Sequence, residues 1–312
     1  MLVMHAARVG MAGVHPSLVS MAARGELPAE AEWSALLRLG LYGWWYDRDP
    51  DGPRRDTNRR SADMLLAMQE ECANDLREAA AATGSMGGLW LKAMASRQPQ
   101  WDMYPQPWMR VATDVDVWFE EAEIPVLARW LVANRGYEFG LQQTPWPRNY
   151  ELAMVSPEGI VVELHAALGP RRWPVNLFGR ITPEMVALRC IGQIQSLSMP
   201  MQLVHGVVHL FQHAGHLKYF QLMELLLLLE RDRDGRAEVM LLRWGYGSLW
   251  AWMVLRLLRL WPDPGDAPDF LAQRWHNVGR VHRALWSAAL DEHGIWRGPA
   301  QMRGPKILAL LT

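Results

Sequence analysis

The sequence predicts an α+β protein in which a compact β-sheet is preceded and followed by helices. Alternating valines in residues 110–119 favour one strand, and residues 150–166 have the pattern of a β-hairpin. From Thr182 onward, the apolar residues recur with helical spacing. With 312 residues, of which 50% are hydrophobic, the chain is long enough for a sizeable core and for two domains.

The first 82 residues are predicted to form an N-terminal helical segment that a polar linker interrupts. Apolar spacing indicates a helix within residues 1–46, and residues 47–60 are rich in Asp, Arg, Pro and Gly, which is typical of a linker. A second helix is expected to begin near the capping candidate Ser61 and to end before Gly84.

Residues 83–180 are predicted to form a sheet-containing domain, and residues 181–312 a helical domain. A short strand at Leu89–Leu91 is expected to lead into a helix near Lys92, and a further helix is expected over residues 123–135. The hairpin follows that helix, so strand, helix and hairpin succeed one another in the chain.

The turn of the hairpin is predicted at residues 156–159, where Pro in the second position and Gly in the fourth suit a type I turn. On the strand after the turn, Glu163 and His165 share one face because side chains alternate along a strand. This succession of elements is expected to bring Glu163 beside the acidic strand in one sheet.

Two acids of the strand predicted within residues 110–119, Asp114 and Asp116, project from the same face because side chains alternate along a strand. Carboxylates this close repel each other unless a cation or a proton lies between them, and Mg²⁺ prefers carboxylate oxygens. A solvated strand face is the alternative explanation. With Glu163 as a third acid on one sheet face, a metal site is the better interpretation.

The order of several motifs resembles one family, over roughly residues 75–230. The chain is similar to the bacterial uncharacterised nucleotidyltransferases, a branch of the DNA polymerase β-type superfamily. The motifs are Leu91-Lys92-Ala93, Met103-Tyr104-Pro105, Arg110 ahead of Asp114-Val115-Asp116, Gly136-Tyr137, and Val162-Glu163-Leu164-His165.

This resemblance implies a small mixed sheet and transfer of a nucleotidyl group from an NTP such as ATP, with release of pyrophosphate. It makes Asp114, Asp116 and Glu163 the metal-binding triad. Two Mg²⁺ ions are expected, with Mn²⁺ as a possible replacement, acting on the attacking and leaving oxygens. Glu163 is alternatively the base that accepts the acceptor proton.

The resemblance also implies the residues that bind the triphosphate. Lys92 and Ala93 belong to the segment that cradles it, Arg110 and Lys218 offset its charge, and His209 lines the cleft. Ala93 stands where the family usually has Gly.

A second departure is Glu224, which stands where the family usually has Asp. The two departures motivate an alternative function, that of a non-catalytic accessory protein which binds a nucleotide or a partner on the same scaffold. The three intact acids favour the enzyme.

Four histidines are spaced so that they share one stripe of a helix. They are interpreted as a stripe that faces the core or a cleft, as the lining of the transfer cleft, or as the zinc site of a metallohydrolase. The four are His205, His209, His213 and His216.

The formal net charge of −1 does not indicate nucleic acid or an anionic membrane as a partner. No secretory signal and no membrane span are expected, and the two cysteines, Cys72 and Cys190, favour a reduced cytoplasmic setting. The acceptor stays open between a small molecule, a peptide or protein, and RNA. Tryptophans among arginines after residue 273 favour either an RNA clamp or solvated helices; they include Arg274 and Trp275.

Overall fold

The computed structural model describes residues 55–91, 114–140, 150–167, 190–212, 219–244, 246–258 and 267–279. These residues contain a six-stranded mixed sheet and seven helices, so the prediction of an α+β protein is confirmed. The predicted helix within residues 1–46 and the predicted helix near Lys92 lie outside the described residues.

The sheet has the strand order β3-β4-β5-β2-β1-β6. Strands β2 and β5 are parallel neighbours, β4 and β5 form the predicted hairpin, and β1 pairs antiparallel with β2 and parallel with β6. The strands are β1 (Gly88–Trp90), β2 (Asp114–Trp118), β3 (Glu138–Phe139), β4 (Glu151–Val155), β5 (Val161–His165) and β6 (Ile194–Ser196).

Alternation separates the two faces of the central strands. Val115 and Val117 of β2, with Val162 and Leu164 of β5, are almost completely buried and form the core face of the sheet. Because a strand places successive side chains on opposite faces, the polar residues between these positions all belong to the other face. The hydrophobic pattern therefore presents the acids on one side of the sheet.

Helix α1 (Arg55–Thr83) begins six residues before Ser61, so the prediction that the linker extends to residue 60 was wrong. The helix breakers of that segment all precede Arg55, and the residues from Arg55 to Ser61 include neither Pro nor Gly. Polar composition alone does not stop a helix, since Arg is a good helix former.

Helix α2 (Ile124–Arg135) was predicted at this place, and its ends follow simple rules. Pro125 lies in the first turn, where its missing N–H costs nothing, and Gly136 ends the helix with φ +71°. The last residue, Arg135, forms ion pairs with Asp75 and Glu78 of α1. Helix α2 thus follows β2 in the connection that also contains β3 and β4 before β5, and it contacts α1.

Strand β6 contradicts the expectation that only helices follow Thr182. Its three residues are too few to show a periodicity, and its conformation is set by pairing with β1, Gly88 opposite Ile194 and Trp90 opposite Ser196. Tertiary pairing overrides the local pattern here.

The described residues fall into two compact units, one within residues 53–205 and one from residue 206 onward. The first contains α1, α2 and the sheet. Helix α3 runs across the boundary, and the second unit also contains the four remaining helices. The domain boundaries predicted at residues 82 and 180 stay predictions. The helices are α3 (Met199–Gln212), α4 (Tyr219–Arg231), α5 (Arg236–Arg243), α6 (Gly247–Leu258) and α7 (Asp269–Asn277).

The second unit contains a buried ion-pair network. Arg274 of α7 lies 2.9 Å from Glu238 of α5 and also donates to the backbone carbonyl of Asp232. The Asp232 carboxylate accepts the Ala237 N–H at the start of α5. None of the described helices has the length and apolar character needed to cross a membrane.

Candidate metal centre

Two acids from different strands meet on the polar face of the sheet. Asp116 of β2 and Glu163 of β5 are paired residues in the parallel ladder, so their side chains point to the same face. Asp116 is only 2% exposed, whereas the Glu163 side chain retains 29% of its surface. A buried carboxylate beside a second one is costly unless positive charge compensates it.

The third member of the cluster is His165, two residues after Glu163 on the same face of β5. Its Nε2 lies 3.5 Å from Glu163 Oε2 and 3.9 Å from Asp116 Oδ1. Ligand atoms of the three residues all lie within 4.8 Å of one another. No other group of this kind occurs among the described residues.

A residue of strand β4, Glu151, and the residue before that strand, Tyr150, lie near the imidazole. Glu151 pairs with His165 across the hairpin, and its Oε2 lies 3.9 Å from Nδ1. The Tyr150 ring lies 5.7 Å from the imidazole, tilted by 52°. Each ring nitrogen of His165 therefore lies near a carboxylate.

The electrostatics of the cluster follow from burial and from like charges. Burial raises the pKa of the Glu163 carboxyl, and repulsion from Asp116 raises it further, while His165 acts in the opposite direction. Burial by itself lowers the pKa of His165, but attraction to Asp116 and Glu163 outweighs it and raises the pKa to about 10. The two acids therefore favour positive charge at this position.

The cluster fits a divalent cation. It offers two carboxylates and one imidazole from adjacent strands, and the more deeply buried carboxylate is that of Asp116. Oxygen donors suit Mg²⁺ and Mn²⁺, and an imidazole is accepted by transition metals. Two of the three side chains, Asp116 and His165, are almost completely buried on paired strands. Their donor atoms are therefore held in place before an ion binds.

Asp114, the remaining acid of the predicted triad, lies at the start of β2. It pairs with Val161 and is partly exposed. Strand alternation puts it on the same face as Asp116, yet it is not part of the cluster of donor atoms within 4.8 Å.

One of the five residues assigned to the triphosphate by resemblance, His209, is among the described residues. Lys92, Ala93, Arg110 and Lys218 lie outside the described residues. His209 is on α3 and partly exposed.

Of the other members of the histidine stripe, His205 is buried on α3, one turn before His209. His213 and His216 lie outside the described residues. The interpretation of the stripe therefore stays a prediction.

Sequence reasoning missed the participation of Glu151. The length of the hairpin connection could have predicted it, because the number of residues between β4 and β5 decides which residue is opposite His165. Val155 pairs with Val161, so Glu151 pairs with His165.

The C-terminal arginine and tryptophan pattern acquires a structural explanation at one position. Arg274 is 13% exposed, and its guanidinium contacts Glu238 and Asp232 rather than solvent. This residue therefore links α7 to α5 by an ion pair, and a role in clamping RNA is not needed to explain it.

Comparison with known proteins gives one match. The family described as "Uncharacterised nucleotidyltransferase" matches residues 58–243, which is more than half of the chain and includes the sheet and the acidic cluster. Neither a curated protein nor a solved structure matches.

Proposed function

The chain belongs to the uncharacterised nucleotidyltransferase family, and we propose that it transfers a nucleotidyl group from an NTP to a hydroxyl or similar acceptor. In this reaction the acceptor oxygen forms a bond to the α-phosphorus. The bond from that phosphorus to the β-phosphate oxygen breaks, and pyrophosphate leaves.

The observation that supports this proposal most strongly is the pairing of Asp116 with Glu163 on neighbouring strands. A protein that only needed a stable sheet would gain nothing from two carboxylates at paired positions, one of them buried. A divalent cation between them removes the repulsion, and a cation is also what a triphosphate requires.

The acids have separate roles in the proposal. Asp114 and Asp116 would hold the Mg²⁺ ion that accompanies the triphosphate, and Asp116 and Glu163 would hold a second ion. Bound ions of this kind stabilise the attacking and leaving oxygens of an in-line displacement. Alternatively, Glu163 acts as the base that accepts the proton of the acceptor hydroxyl, and the partial exposure of its side chain supports this role.

Basic residues complete the proposed site. Lys92, Arg110 and Lys218 offset the charge of the phosphates, and Ala93 and His209 line the nucleotide site. The acceptor is a small molecule, a peptide or protein, or an RNA end. Both cysteines are free thiols, which supports a reduced cytoplasmic setting.

The direct test uses each α-³²P-labelled NTP in turn with Mg²⁺ or Mn²⁺ and a panel of acceptors from the three classes. Transfer of label with equimolar release of pyrophosphate, abolished by EDTA, is the expected result. If no NTP gives label transfer or pyrophosphate in the presence of metal, the proposal that the protein is a nucleotidyltransferase is contradicted.

The second candidate is an accessory protein that binds a nucleotide without turning it over. Ala93 and Glu224, the two departures from the family pattern, favour it. Isothermal titration calorimetry with Mg²⁺-ATP separates the candidates, because binding without pyrophosphate release identifies the accessory protein.

A further inference from the structure

His165 lies in an unusual position for a buried histidine. It is 6% exposed, and the nearest carboxylate oxygens lie 3.5 Å and 3.9 Å from Nε2 and 3.9 Å from Nδ1. An N–H···O hydrogen bond is shorter, about 2.7–3.2 Å. Neither ring nitrogen makes a hydrogen bond of normal geometry, although both face carboxylates.

The separation between His165 Nε2 and Glu163 Oε2 suits two donors around one ion. Two atoms that each lie about 2.1 Å from a metal ion are separated by roughly 3.0–3.4 Å in octahedral or tetrahedral geometry. The 3.5 Å between His165 Nε2 and Glu163 Oε2 is close to that value. We propose that His165 binds, through Nε2, the metal ion that lies between Asp116 and Glu163.

Glu151 has a supporting role in the same proposal. Ligating histidines donate their other N–H to a carboxylate, which fixes the tautomer and the ring orientation. Glu151 lies on the Nδ1 side of His165, on the neighbouring strand. With the metal ion bound, we expect the Nδ1–H to donate to Glu151, which leaves the Nε2 lone pair for the metal. The Tyr150 ring lies beside the imidazole, with 5.7 Å between the ring centroids.

This ligand set narrows the choice of metal. Mg²⁺ is bound by oxygen atoms and water, whereas an imidazole with two carboxylates suits a first-row transition metal. Mn²⁺ accepts both donor types, so it is the ion that this site binds more tightly than Mg²⁺. The inference deepens the proposed function and rests on its metal ion between Asp116 and Glu163.

Pulsed electron paramagnetic resonance of the full-length protein with one equivalent of Mn²⁺ gives the decisive readout. A directly bound imidazole nitrogen produces a ¹⁴N modulation of the echo. We expect this modulation in the wild-type protein, and its replacement by a ¹⁵N pattern after labelling with ¹⁵N-histidine. Neither observation needs a mutation or an acceptor.

Variants then assign the nitrogen. His165→Gln is expected to abolish the ¹⁴N modulation. Glu151→Gln is expected to keep the modulation and to weaken Mn²⁺ binding by roughly 10–100-fold, as for other partners of ligating histidines. Glu138→Gln removes an exposed acid from β3 of the same sheet and is expected to change neither quantity.

Three results would overturn the inference. Bound Mn²⁺ without ¹⁴N modulation would exclude His165 as a ligand. It would not contradict the proposal that the protein transfers a nucleotidyl group. Modulation that persists in folded His165→Gln would assign the nitrogen to another residue. A folded protein that binds no Mn²⁺ would remove the metal site, and with it the proposed two-metal mechanism.

Discussion

Asp116 and Glu163 are direct partners in the ladder between β2 and β5, whereas Asp114 is opposite Val161 at the start of the strand. The two aspartates of the Asp-x-Asp motif are thus not equivalent. Among the described residues, Asp116 forms a cluster of donor atoms with Glu163 and His165, and Asp114 is not part of that cluster. This difference leads to the first prediction.

Asp116→Asn is expected to lower nucleotidyl transfer and Mn²⁺ affinity by at least about 100-fold, because it removes a ligand shared by both proposed ions. Asp114→Asn is expected to lower transfer but to leave the ion between Asp116 and Glu163 bound. Label transfer and Mn²⁺ titration measure the two effects. Equal loss of Mn²⁺ binding in both variants would contradict the assignment.

Gly87→Ala is expected to destabilise the protein by about 2–5 kcal/mol, combining overpacking with a left-handed backbone. Gly87 has φ +99°, and a Cβ there would lie 2.1 Å from the Cys190 carbonyl oxygen and 2.6 Å from that of Gln193.

Gly84→Ala is the matched control for this prediction. Gly84 has φ +66° but nothing within 4 Å of the added Cβ, so only about 1–2 kcal/mol of backbone strain is expected. Urea unfolding of both variants gives the comparison. Equal losses would show that the contact with residues 190–193 is unimportant.

Tyr137→Phe is expected to change how stability depends on alkaline pH. Tyr137 is buried, its hydroxyl donates to Asp75 Oδ2 at 3.2 Å, and burial followed by the neighbouring Cys72 and Asp75 raises its pKa above the ordinary value of 10. Below pH 10 both states keep the proton. Above it the unfolded state loses the proton first, so the wild-type protein loses stability as the pH rises.

The variant lacks this group, so its stability should fall less between pH 9 and pH 11 than that of the wild-type protein. At pH 8 it should be less stable by about 0.5–1.5 kcal/mol because of the lost hydrogen bond. Urea titrations at these three pH values test both statements. Parallel pH profiles of the two proteins would show that Tyr137 ionises with an ordinary pKa when folded.

Arg274→Met is expected to destabilise the second unit by about 3–5 kcal/mol, since it leaves the buried Asp232 carboxylate without its cation. Burial already raises the pKa of Asp232, with Arg274 acting against this shift, so the variant should raise that pKa further. Thermal unfolding measures the loss of stability.

Arg236→Met is the control, because Arg236 and Asp234 form an ion pair in which both side chains are more than 70% exposed. Exposed pairs contribute about 0–1 kcal/mol. Similar melting temperatures for the two variants would disprove a structural role of Arg274.

Local patterns were sufficient for part of the fold. The strand at Asp114–Trp118, the helix at Ile124–Arg135 and the hairpin were predicted because period-two alternation, Pro near a helix start and a Pro–Gly turn act over a few residues. They were insufficient for Ile194–Ser196, which is a strand only because β1 is beside it.

The local pattern was also insufficient for the register of the hairpin, which differs by one residue from what a four-residue turn would give. A four-residue connection would place Tyr150 opposite His165. The observed connection has five residues, 156–160, and Ser156 donates its N–H to the Ile160 carbonyl, so Glu151 takes that position. A change of one residue in register exchanges which face a side chain occupies.

The sequence by itself determined which side chains share a face: Asp114 with Asp116, and Glu163 with His165, since alternation is a property of any strand. Only the tertiary structure decided that Asp116 is opposite Glu163 and that Glu151 lies behind His165. Those relationships depend on the register between strands, which is set by the burial of Val115, Val117, Val162 and Leu164 on the other face.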